Sequence, residues 1–211
     1  MDLADQKFPF EVLTATAADL RGLLQTGHTT SVDIVEAYLT QIEKHNKAGL
    51  GLRAIISTAP REMVLARAAE LDSERLSGKV RSALHGIPII IKDAVITSKA
   101  LGMPTTAGAI AFENAYGKSN AAVIERLLLS GLIILGKASM TEFCGLKATC
   151  MTAGWSARNG LTQSAYITGG FREDDLFKGR SGPGGSSSGS AVGVSAGFAP
   201  LSIGTETSGS I

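Results

Sequence analysis

The chain has 211 residues, 44% of them apolar and 18% charged, and a formal net charge of +1. That apolar share supports a sizeable core and excludes a disordered tail. The near-neutral balance, with its basic residues dispersed, excludes a general pull toward nucleic acid or an acidic membrane surface.

Thr16 predicts the N-cap of a first helix, with Asp19 three residues on and Leu20, Leu23 and Leu24 as its apolar stripe. Gly27 ends it and Thr30 caps a longer helix, whose Ile34, Val35, Tyr38, Leu39 and Ile42 recur at helical spacing. Ala54 to Ser57 suits a short buried strand. Pro60 then opens a third helix, with Val64, Leu65, Ala68 and Leu71 inward, which frays through Ser77 and Gly78. The β-branched run Ile87 to Ile91, interrupted only by Pro88, predicts a strand buried on both faces. Ala121 to Leu129 reads as helix, Leu132 to Leu135 as strand, Ser190 to Ala196 as a small-residue helix and Leu201 to Ile203 as a short strand. Helices first, then alternating β and α, argue for an α/β domain with a buried, partly parallel sheet. Residues 168–189 are rich in Gly, Ser and charge, which by composition alone is also the pattern of a linker.

No run reaches the about 18 apolar residues of a membrane helix; Leu127 to Leu135 is interrupted by Ser130 and Gly131. Met1 to Phe10 carries Asp2, Asp5, Lys7 and Pro9 and lacks a signal-peptide pattern. Cys144 and Cys150 fit no common zinc or redox spacing and read as reduced thiols of a cytoplasmic protein. No metal or cofactor motif is present.

Gly185-Ser186-Ser187-Ser188-Gly189 matches the G-x-S-x-G pattern of α/β-hydrolases, but that elbow needs a preceding strand and a later histidine. Here Gly182-Pro183-Gly184 precedes it, and the histidines, His28, His45 and His85, all come earlier. A phosphate loop fails because no Gly-Lys-Ser/Thr closes the stretch. Lys92 ends the Ile-rich strand. By position alone it either caps a strand end in solvent or sits in a dry pocket, where desolvation would favour the neutral amine and make it a base. Gly204 to Ser210 forms a second Gly/Ser cluster after a short strand, and such a turn offers successive backbone N–H groups to an oxyanion. A Ser/Gly loop without chemistry has the same composition.

Several long segments in order carry a resemblance. They include Leu84-His-Gly-Ile-Pro-Ile-Ile-Ile-Lys-Asp93, Gly102-Met-Pro-Thr-Thr-Ala-Gly108, Ile134-Leu-Gly-Lys-Ala-Ser-Met-Thr-Glu-Phe143, Gly154-Trp-Ser-Ala-Arg-Asn-Gly160 and the stretch from Gly184 to Ile211. In these the chain resembles the amidase signature family, and its fungal amidases most closely. The resemblance implies an α/β amidase-signature fold, with a central mixed, largely parallel sheet flanked by helices. Residues 1–211 would be the N-terminal portion of a single domain, truncated relative to the family. It implies a Ser-Ser-Lys triad: Lys92 as base, Ser186 as the bridging serine after a cis peptide bond, and Ser210 as the nucleophile that forms an acyl-enzyme. Backbone N–H groups of Thr207, Ser208, Gly209 and Ser210 would form the oxyanion hole. Ser208 stands where the family usually has Gly or Asp, and Ser188 where Gly is common.

The expected reaction is hydrolysis of a carboxamide to acid and amine or ammonia, with a small-molecule substrate and without cofactor, metal, nucleic acid or membrane span. Ser210 is the penultimate residue, so the helix it should open and the rest of the sheet are missing from this sequence. The rival expectation is therefore a catalytically inactive fragment with a binding role, or half of a split enzyme that pairs with a second copy or a separate C-terminal half. An ammonia-transferring amidotransferase subunit shares the triad and is a third reading.

Overall fold

A computed structural model describes residues 8–147, 149, 151–167, 169–174, 181–206 and 209–210. Helix α1 spans Ala17–Thr26 and α2 Ser31–His45. Both open with the predicted threonine in a reciprocal capping box, Thr16 with Asp19 and Thr30 with Asp33, so two otherwise unpaired amides are satisfied at each end. Gly27 closes α1 at φ 71°, a left-handed conformation that costs glycine nothing. Strand β1 spans Ile55–Thr58 and helix α3 Arg61–Leu76. Asp72 of α3 accepts the amides of Ser31 and Val32 at 2.8 and 3.2 Å, which ties α3 to the start of α2.

Strand β2 spans Pro88–Lys92, helix α4 Ala122–Leu129 and strand β3 Ile133–Ala138. A two-stranded hairpin follows, β4 at Trp155–Ser156 and β5 at Gly160–Leu161, then helix α5 at Ser188–Ser195 and strand β6 at Ser202–Ile203. The main sheet has the order β1-β3-β2-β6. β3, β2 and β6 run parallel and β1 is antiparallel to β3. This is the mixed, largely parallel α/β sheet expected from the sequence. β2 and β3 are buried along their whole length, Lys92 and Lys137 included, and their apolar runs Ile89 to Ile91 and Ile133 to Leu135 suit strands covered on both faces.

The differences from expectation are local. β3 runs three residues beyond Leu135, through Gly136, Lys137 and Ala138. α5 begins at Ser188, two residues earlier than its small-residue pattern indicates. The linker reading of the Gly/Ser stretch fails at its C-terminal end, because Ser181, Ser186, Ser187 and Ser188 are buried.

Small residues let α5 lie against the sheet at close range. A Cβ on Gly189 would collide with the carbonyl of Ala54 and the backbone of Ser139, and one on Gly193 with Cδ1 of Ile90. Gly189 also donates its amide to the Ser139 carbonyl at 2.8 Å. The Gly/Ser composition thus follows from steric clearance. Gly189→Ala is expected to destabilise the chain by roughly 2–3 kcal/mol, since the obstruction is backbone that cannot rotate away. Chemical denaturation of the two proteins measures it.

Candidate functional site

Side chains alternate between the faces of a strand, so Lys92 points to the same face as Ile90. Ile90 meets Gly193, so this is the face that α5 covers. Ser186 lies two residues before α5 and is buried, and the Gly185–Ser186 peptide bond is cis. The end of β2 and the start of α5 therefore bring the two side chains together. Lys92 Nζ donates to Ser186 Oγ at 2.7 Å, and Ser186 Oγ donates to Ser210 Oγ at 2.7 Å. Lys92 Nζ also donates to the carbonyl of Thr205 at 3.3 Å.

Backbone bonds hold the two serines in place. The amide of Thr141 donates to the carbonyl of Ser186 at 3.0 Å, and the amide of Ser187 donates to the carbonyl of Ser210 at 3.1 Å. Ser187 Oγ exchanges hydrogen bonds with both the amide and the carbonyl of Thr205, each at 3.2 Å. Ser190 Oγ donates to the carbonyl of Ile203 at 2.9 Å. The serines of the first cluster thus pin the segment after β6 that leads to Ser210.

Lys92 is fully buried. Burial pushes its ammonium below the ordinary lysine range, while Cys144 and Glu206, the acidic groups beside it, pull it part of the way back. Of the two readings left open by position, the dry pocket is the one observed. Of the expected oxyanion donors, Thr207 and Ser208 lie outside the described residues. The amide of Gly209 is described and donates to the Glu206 carboxylate. A cleft of about 520 Å³ opens beside Ser210, lined by Pro183, Gly185, Ser187, Ser190 and Ser202 among others. Its described lining carries no charged side chain. Among the described residues no group of His, Cys, Asp or Glu could hold a metal ion, and no helix is long and apolar enough to cross a membrane.

Thr141, Cys144 and Glu206 lie at this site, to which the sequence alone does not assign them; Cys144 reads there only as a reduced thiol. Cys144 and its neighbour Phe143 both sit at positive φ, 57° and 47°, within a tight turn whose composition gives no warning of it. A second lysine, Lys137, is fully buried on the opposite face of the sheet, 4.0 Å from the carboxylate of Asp93.

The Amidase family profile matches residues 33–211. A probable amidase of Arabidopsis thaliana is 35% identical over 202 residues, 96% of this chain and 36% of the plant protein. A fungal protein from Arthroderma benhamiae that carries an amidase name is 36% identical over 203 residues, 93% of this chain and 31% of its own length. Among solved structures, the native peptide amidase of Stenotrophomonas maltophilia superposes with a TM-score of 0.84 at 36% identity, covering 96% of this chain and 38% of that one. The chain belongs to the amidase family, of the amidase signature type, and spans about a third of the length of these relatives.

The buried lysine away from the cleft yields a pH prediction. Burial lowers Lys137 to about 8, Asp93 opposes that shift and Arg158 adds to it. An unfolded chain holds this proton up to about pH 10.4, so above pH 8 the unfolded state binds more protons and stability rises with pH. The gain is at most about 1.4 kcal/mol per pH unit between those limits. Urea denaturation at pH 8 and pH 9.5 should show this rise in the wild-type chain and a flatter line for Lys137→Met. Parallel lines would mean that Lys137 titrates like an ordinary surface lysine.

Proposed function

We propose that this chain carries the acylation machinery of an amide hydrolase, and that residues 1–211 form the N-terminal portion of a single amidase-signature domain located in the cytoplasm. The unbroken line from Lys92 Nζ through Ser186 Oγ to Ser210 Oγ, with 2.7 Å at each step, supports this reading most strongly. Hydroxyl hydrogens rotate, so the same separations serve proton transfer in either direction. With Lys92 neutral, Ser186 donates to Lys92 and Ser210 donates to Ser186. Ser210 Oγ then attacks the amide carbon as its proton passes to Ser186 and the Ser186 proton passes to Lys92. The relay runs back as the C–N bond breaks, protonating the leaving nitrogen, and amine or ammonia departs. The acyl group is left as an ester on Ser210. Water attacks that ester by the same relay, releasing the acid and restoring Ser210.

The negative oxygen of each tetrahedral intermediate needs backbone donors. Thr207, Ser208, Gly209 and Ser210 are assigned to that role, and the Gly209 amide must leave the Glu206 carboxylate to serve it. The uncharged described lining of the cleft favours a neutral carboxamide of small size over a charged acyl group.

A fluorophosphonate probe tests the reading on the purified chain. Ser210 should be labelled, at a rate that rises with pH as Lys92 loses its proton, with the rise falling below the ordinary lysine range of about 10.4. Ser210→Ala should abolish labelling, and Lys92→Ala and Ser186→Ala should slow it by at least roughly 100-fold. A folded wild-type chain that does not react, or labelling that survives Ser210→Ala, contradicts the assignment.

A further inference from the structure

Lys92 and Ser186 are 94 residues apart, yet their side chains meet at 2.7 Å. One buried carboxylate that takes no part in the relay is connected to both. Asp93 follows Lys92 directly and is fully buried. Its own amide is anchored to the Ala138 carbonyl of β3 at 3.0 Å, which fixes the backbone where β2 ends. Its carboxylate accepts from the amide of Gly108 at 3.0 Å, the amide of Thr106 at 3.3 Å and the hydroxyl of Thr106. It therefore closes the turn at residues 106–108.

That turn leads on to Ser186. The carbonyl of Ala107, a residue at φ 49°, accepts the amide of Phe143 at 2.9 Å. The amide of Cys144 returns to the carbonyl of Thr141 at 2.9 Å, and the amide of Thr141 donates to the carbonyl of Ser186 at 3.0 Å. A parallel link runs from the Gly108 carbonyl to the amide of Arg158 at 3.0 Å, and from the Ala157 amide to the carboxylate of Glu142 at 2.7 Å. Thr141 Oγ1 also accepts the amide of Gly154 at 2.8 Å. The 106–108 turn, the 141–144 turn and the residues around the β4–β5 hairpin are thus laced into one block, and Asp93 binds that block to the end of β2.

The charge of Asp93 is matched locally. Lys137 pairs with Ile91 in the parallel register of β2 and β3, so it shares the sheet face of Ile91 and Asp93, opposite Lys92. Its Nζ lies 4.0 Å from Asp93 Oδ1 and donates to the carbonyl of Val95 and to Thr105 and Thr97 hydroxyls at 3.1 and 3.4 Å. A buried carboxylate needs such compensation, and three donors together with a cation supply it.

We propose that Asp93 is a positioning residue for the Lys92–Ser186–Ser210 line: through the 106–108 turn and Thr141 its carboxylate fixes Ser186, and as the next residue in the chain it fixes Lys92. This rests on the hydrolase reading above for its consequence in rate, but the relay itself is a property of the fold. A shared anchor at both ends of a proton-transfer bond keeps that bond short while the rest of the cleft adapts to substrate. Misplacement by about 1 Å at such a bond costs on the order of 100-fold in rate.

The test uses Thr106→Val, which removes the hydroxyl donor and keeps the shape, Thr106→Ser, which retains the donor, and Asp93→Asn, which removes the charge. Two readouts are taken on each full chain: the fluorophosphonate kinact and KI, and amide hydrogen exchange at Thr141 and Phe143. Thr106→Val and Asp93→Asn should lower kinact by roughly 10- to 100-fold with KI within about twofold of wild type. Exchange at Thr141 and Phe143 should speed up at least roughly tenfold, and Thr106→Ser should restore both quantities. Wild-type kinact in folded Thr106→Val and Asp93→Asn overturns the proposal. So does a fall in kinact with unchanged exchange at Thr141. If Asp93→Asn fails to fold, the Thr106 pair decides. If the wild-type chain does not label at all, the hydrolase reading falls, and exchange in Thr106→Val alone decides whether Asp93 governs the placement of Ser186.

Discussion

The site is organised around one desolvated amine. Lys92 reaches full burial at the end of a strand, where it donates to a hydroxyl, Ser186 Oγ, and to a carbonyl, that of Thr205. Desolvation penalises the charged form there, and Cys144 and Glu206 nearby offset that penalty only in part. Burial therefore shifts it toward the neutral form, which is the form that can accept a proton from a serine. The opposite face of the same sheet holds a second such lysine. Lys137 is equally buried and its ammonium is likewise lowered, to about 8, but with a carboxylate 4.0 Å away and hydroxyls around it, it is bound into the scaffold.

The packing around Lys92 brings serines to it. The helix that covers its face holds glycine at positions 189 and 193 because a larger residue there would strike backbone or Ile90. Close approach of α5 carries the cis-linked Ser186 over the end of β2, and the hydroxyls of Ser187 and Ser190 tie the segment after β6 into the same cluster. The same small residues thus solve a packing problem and supply the polar groups that arrange the site. The Glu206 carboxylate competes with the proposed chemistry, since it occupies the Gly209 amide.

Much of this is legible in the sequence alone. The capping threonines, the helical stripe of α2 and the Ile-rich run of β2 each rest on local physics, periodicity or an end-group hydrogen bond, and each formed as expected. Lys92, Ser186 and Ser210 were identified by resemblance. Position alone left Lys92 between a solvated strand end and a dry pocket, because burial depends on what packs above it. The parts that escaped are those set by distant partners. Lys137 sits in a strand extension whose pairing to β2 is not encoded locally, and Thr141 reaches Ser186 through one backbone amide, which any residue type but proline could supply. The two-residue strands β4 and β5 are too short for an alternation pattern. Composition misled in the Gly/Ser stretch, where residues suited to a linker are also those suited to tight packing.

The central claim is that Lys92 is held in the fold as a readily neutralised amine bonded to Ser186. The most direct measurement is an NMR titration of the Lys92 side-chain amine, assigned by comparison with Lys92→Met. The account predicts a midpoint clearly below the ordinary lysine value of about 10.4, moving back toward it when Ser186 and its neighbours are unfolded by denaturant. A midpoint at the ordinary value in the native chain would mean that the amine is solvated, and the proton relay drawn from Ser210 to Lys92 would have no base at its end.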